Sequence, residues 1–85
     1  MNSTTALVLS HRDRAILRAV AAGRASVTPS SEPDLYIDGL CCCDQTAAHN
    51  LCHAGLICPA LPGMPGQAVL AALTAAGTAA LAVLA

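Results

Sequence analysis

Between Cys41 and Ile57 the chain reads Cys-Cys-Cys-Asp-Gln-Thr-Ala-Ala-His-Asn-Leu-Cys-His-Ala-Gly-Leu-Ile, which holds four of the five cysteines and two of the three histidines. Two chemistries fit these residue types. Zn²⁺ takes sulfur and nitrogen ligands, and His49, Cys52 and His53 stand at i, i+3 and i+4, a spacing that puts three donors on one helix face. Of the three consecutive cysteines, neighbours on an extended backbone point to opposite sides, so two can converge, and Cys41 and Cys43 complete a five-residue zinc set. The alternative is recognition. On the same helix Thr46, His49, Asn50 and His53 cluster within about 100°, an uncharged, hydrogen-bonding face presented to a partner.

Catalysis has less to stand on. No Ser/His/Asp or Cys/His/Asn order has supporting context, and no glycine-rich phosphate loop is present, so a non-enzymatic role is expected. Cys43 would lie just outside a helix N-terminus, where the dipole favours a thiolate, but Asp44 beside it opposes that.

The elements that must position these groups follow from caps and periodicity. Ser10 and Asp13 have the form of an N-cap with an acid at N3, and Ile16, Leu17, Val20 and Ala21 recur at helical spacing before Gly23, predicting a helix over 11–22. Arg14 and Arg18 fall together on its far side. Residues 26–34, with two prolines and three serines, read as a surface linker. Leu35-Tyr36-Ile37 reads as a short strand ending at a turn on Asp38-Gly39. Asp44 then caps a second helix over 45–54, with Gly55 as its C′ residue. Leu56-Ile57-Cys58 reads as a strand leading into a Pro/Gly-rich loop near 59–66, and residues 68–73 as the return strand. Thr74 is placed to cap a last helix carrying Leu81, Val83 and Leu84, in which Gly77 reads as a weak spot.

In this order the elements resemble a winged helix-turn-helix domain of the small bacterial regulator type. The carriers of the resemblance are His53-Ala54-Gly55-Leu56-Ile57, the Pro/Gly loop after it, and Leu73-Thr74-Ala75-Ala76-Gly77-Thr78-Ala79-Ala80-Leu81, which looks like the family's "Leu-Thr-x-x-Gly-x-x-x-Leu" entry to its final helix. The resemblance implies an α+β fold, with three helices and a β-hairpin wing over residues 10–85, and residues 1–9 as an N-terminal extension. It further implies a DNA-binding transcriptional regulator, or a protein-interaction derivative of one. Residues 45–54 would be the recognition helix, with Thr46, His49, Asn50 and His53 facing base edges and Arg12, Arg14 and Arg18 reaching phosphates. Residues 24–43 contain no clean helix where the family's helix-turn-helix would begin.

Composition bounds the partners. All four cations (Arg12, Arg14, Arg18, Arg24) precede residue 25 and four of the five acids follow it, within a net charge of −1. With no lysine and a pI near 6.2, long phosphate tracking is disfavoured, and an anion-binding surface must use the first helix. The composition, rich in Ala, Arg and Gly, looks like that of a high-GC bacterial genome. The 85 residues make one small domain whose single aromatic side chain, Tyr36, leaves an alanine-rich core in need of help from an oligomer, a metal or a ligand, so a homodimer is expected. No basic leader precedes the short apolar run at 6–9, and the cysteines lack the even spacing of a disulfide framework, so a reduced, cytoplasmic protein is expected. The uncharged last 18 residues make a C-terminal membrane anchor the remaining alternative, but at six Leu or Val and nine Ala they lie at the edge of what inserts, and a membrane partner is not expected.

Overall fold

In the computed structural model, residues 9–64 and 66–83 are described, and the expected N-terminal extension lies outside them except for Leu9. The chain runs α1 (His11–Ala21), β1 (Ala25–Val27), β2 (Leu35–Ile37), β3 (Leu40–Cys41), α2 (Gln45–His53), β4 (Ile57–Pro59), β5 (Val69–Leu73), α3 (Ala75–Val83). This is an α+β domain with three helices and a five-stranded antiparallel sheet of order β3-β2-β1-β5-β4.

The first helix starts as its sequence requires. Ser10 accepts from the Asp13 amide at 3.0 Å while the Asp13 carboxylate accepts from the Ser10 amide at 2.9 Å, a reciprocal capping box. Ile16, Leu17, Ala19 and Val20 are buried, and α1 packs against β1, β5 and both other helices. It is the pillar on which the sheet and α2 stand. Around it the core comprises Ala25, Val27, Leu35, Ala48, Leu51, Leu56, Ile57 and Ala71, all aliphatic as the composition dictates.

The sheet is larger than a hairpin wing, and two of its strands lie where the sequence shows little. Ala25-Ser26-Val27 falls in and beside the segment read as linker, yet Ala25 and Val27 are buried while Ser26 is half-buried. Strand alternation is present, but over three residues it leaves no periodic trace. The Asp38-Gly39 turn is as expected: both residues have positive φ, at 54° and 80°, the pattern of a type I′ hairpin turn, and the turn adds β3 to β2. β1 joins the two hairpins, pairing with β2 through Ala25↔Ile37 and Val27↔Leu35 and with β5 through Ser26↔Leu70 and Val27↔Val69.

The last helix corrects one reading. Gly77 is no weak spot: it is buried, and a Cβ there would run into the backbone carbonyl of Leu56. Thr74 caps this helix as expected, its hydroxyl accepting from the Gly77 amide at 3.0 Å. The same hydroxyl donates to the Gly55 carbonyl at 2.5 Å, and the Thr74 amide donates to the Leu56 carbonyl at 3.0 Å. The Leu-Thr-x-x-Gly string and the His-Ala-Gly-Leu-Ile string are therefore two halves of one contact. Among the described residues no helix is long and apolar enough to cross a membrane.

Candidate functional site

The site is built on α2, and its start is pinned from three sides. Asp44 Oδ1 accepts from the Ala47 amide at 2.9 Å, which caps the helix, and Arg12 on α1 donates to Asp44 Oδ2 at 3.0 Å. The Ala47 hydrogen bond first, then the arginine, hold the Asp44 carboxyl below the usual carboxylate range, and the same contact raises the Arg12 guanidinium. Arg12, expected at a phosphate, is thus committed to the cap.

Gln45, which sequence reasoning did not single out, is the third pin. Its Oε1 accepts from the Leu35 amide at 3.0 Å, and the two hydrogens on its Nε2 are shared among the carbonyls of Leu35 and Cys42, each at 2.9 Å, and Cys41 Sγ at 3.0 Å. Because the Leu35 amide can only donate, the orientation of the side-chain amide is fixed. The glutamine serves Leu35 as a neighbouring strand would and ties the β2–β3 hairpin to α2. Nothing in the local sequence marks this, since the partner is ten residues away and is a backbone group.

At its other end α2 stops on Ala54 and Gly55, the glycine at φ 78° in the C′ position read from sequence. Between the ends, Ala48 and Leu51 are buried, Ala47 and Cys52 are partly buried against the core, and Thr46, Asn50 and His53 are exposed. Three of the four expected reading residues therefore face outward. The fourth, His49, is half-buried beneath the β1–β2 loop: its Nδ1 lies 3.6 Å from Glu32 Oε1 and its Nε2 3.9 Å from Asp34 Oδ1. His53 leans on the same loop, with Nε2 3.6 Å from Glu32 Oε2 and 3.1 Å from the Ser31 carbonyl oxygen. Among the described residues His49 Nε2 is buried and has no hydrogen-bond partner.

The remaining cations divide into two kinds. Arg24 forms a forked pair with Asp38, with bonds of 2.8 and 3.1 Å, and lowers that carboxyl. Arg14 and Arg18 form no ion pair among the described residues. Arg18 is exposed as expected, but Arg14 does not share that solvated face: it is half-buried, and among the described residues its buried Nε has no hydrogen-bond partner.

The residues read as a zinc set do not assemble. Cys41 and Cys43 are exposed before α2, whereas Cys52 is half-buried at the far end of the helix beside Cys58. Burial, and then Cys58, push the Cys52 thiol up. Among the described residues no group of three or more His, Cys, Asp or Glu is placed to hold a metal ion. A cleft of about 330 Å³ opens instead under the β1–β2 loop, lined in part by Val27, Pro29, Pro33, Cys52, Ile57 and Cys58. No family model matches the chain, and neither a curated protein nor a solved structure matches it.

Proposed function

We propose that this domain is a winged-helix-like, non-enzymatic DNA-binding regulator that places α2 in the major groove. The observation that carries the reading is the exposed Thr46, Asn50 and His53 face on a helix capped at both ends and braced by α1. An asparagine reads adenine bidentately, and hydroxyl and imidazole groups bond to either kind of base edge. The winged part of the reading is supported by element order: α1, β1, then α2, then the β4–β5 hairpin whose return strand lies beside β1. The β2–β3 hairpin occupies the stretch in which the family places a helix. Arg14 and Arg18 supply the phosphate contacts that Arg12, paired with Asp44, does not.

The test is selection of bound duplexes from a random-sequence pool, followed by binding of the enriched duplex to Thr46→Ala and Asn50→Ala. Each lost base contact is expected to weaken binding by about 1–3 kcal/mol with the melting temperature unchanged. Failure to enrich any sequence at low salt overturns the reading.

A second reading has its own observation. Arg12 and Arg24 are neutralised by Asp44 and Asp38, and the β4–β5 loop contains no lysine or arginine, so little charge remains to release counterions from a duplex. That balance favours a protein partner on the same face of α2. It predicts a complex whose affinity changes little between low and physiological salt, whereas a duplex complex loses affinity steeply.

A further inference from the structure

The β1–β2 loop, residues 28–34, is closed at its base and loose at its tip. At the base the Thr28 amide donates to the Asp34 carbonyl at 3.1 Å and the Asp34 amide donates to Thr28 Oγ1 at 2.8 Å. Pro29 and Pro33 stiffen the turn just inside that closure. The tip rests on α2 through one carboxylate shared by two histidines a helical turn apart, the Glu32 oxygens standing 3.6 Å from both His49 and His53. Asp34 adds a third approach at 3.9 Å to His49. These separations exceed hydrogen-bonding distance and Glu32 is 70% exposed, so water and salt screen them. Pro33 is buried and Thr28 and Pro29 are half-buried, whereas Ser30, Ser31 and Glu32 are exposed, and a cleft of about 330 Å³ opens under the loop. The base is packed and hydrogen-bonded, whereas the exposed tip is held by one hydrogen bond, from His53 Nε2 to the Ser31 carbonyl, and by screened ion contacts.

We propose that residues 28–34 form an autoinhibitory strap whose carboxylates occupy His49 and His53 in place of a DNA duplex. The inference rests on the DNA-binding reading of α2. Glu32 and Asp34 present oxygen anions to the only ionisable groups on the polar face of α2, as a phosphodiester backbone would. A duplex approaching that face must displace the strap, because Glu32 and Asp34 and the phosphate backbone carry like charge and repel each other beside the two imidazoles. Polyanion binding and strap closure are therefore mutually exclusive states of the same face, and the apparent affinity is reduced by the fraction of molecules that are closed.

The test uses the full chain and the double variant Glu32→Gln/Asp34→Asn, which removes both charges and preserves size. The first readout is the rate at which diethyl pyrocarbonate modifies His49 and His53, with His11 on α1 as the internal reference. The second is anisotropy of a labelled mixed-sequence DNA duplex, with Asp38→Asn as the control for loss of negative charge elsewhere. The strap predicts faster modification of both histidines relative to His11, and duplex binding about three- to tenfold tighter than wild type, beyond any gain in Asp38→Asn. Unchanged modification rates overturn the strap. A gain in Asp38→Asn equal to that of the double variant overturns the competition with phosphates. Faster modification with no duplex bound by either protein overturns the DNA reading of α2 while upholding the loop as the cover of its histidine face.

Discussion

Gly77 has no room for a methyl group. Its α-carbon lies against the Leu56 carbonyl, and Thr74, three residues earlier, holds the Gly55 carbonyl with the same hydroxyl that caps α3. Gly77→Ala is therefore expected to destabilise the fold by about 1–3 kcal/mol, the usual cost of overpacking a site backed by rigid backbone, even though alanine is the better helix former. Thermal melting of the two proteins reads it, and an unchanged or raised melting temperature would show that Leu56 yields. Gln45 makes the complementary case. Gln45→Ala strips the Leu35 amide and carbonyl of their side-chain partner and is expected to cost about 1–3 kcal/mol. Gln45→Glu recovers part of it, because a carboxylate still accepts from the Leu35 amide but cannot donate to the carbonyl.

Elements were legible where their ends carry chemistry. Ser10 with Asp13, Asp44, Gly55, Asp38-Gly39 and Thr74 each mark a boundary through a side chain or a backbone conformation specific to that residue type, and each does so in the structure. β1 was not legible, because three residues with one β-branched side chain carry no period, and β1 exists only because both hairpins offer it partners. For the candidate site, sequence placed the polar face on α2 but not its cover: the pairing of His49 and His53 with Glu32 spans a proline-rich segment whose path the spacing does not determine. At this scale the capping box is the cleanest test. Ser10→Ala removes the acceptor for the Asp13 amide and is expected to lower stability by about 1 kcal/mol, measured by urea denaturation, without altering the α2 face.

At the scale of the whole molecule, the Arg12–Asp44 and Arg24–Asp38 pairs shape the response to acid. Asp44 and Asp38 both have carboxyls lowered in the fold, the first chiefly by the Ala47 amide and then by Arg12, the second chiefly by Arg24. A depressed folded-state value means the ionised form is favoured by folding, so this stabilisation is full above the ordinary carboxylate range, near pH 4, and is lost as pH falls through and below it. Melting temperature is expected to drop as pH falls through the carboxylate range towards pH 3, with a shallower drop in Asp44→Asn; an identical acid limb in that variant would remove Asp44 from the account. The sheet itself is two hairpins of adjacent strands, β2–β3 and β4–β5, held together only through β1, whose register with β5 is given by two residue pairs. The β2–β3 hairpin closes a tight turn and the β4–β5 hairpin a loop over 60–68, whereas β1 must meet β5 across about half the chain, so the search for that pairing is expected to set the folding time. A substitution at Val27, which faces both Leu35 and Val69, should then slow refolding as well as lower stability, while one in the Asp38-Gly39 turn changes chiefly the rate of unfolding.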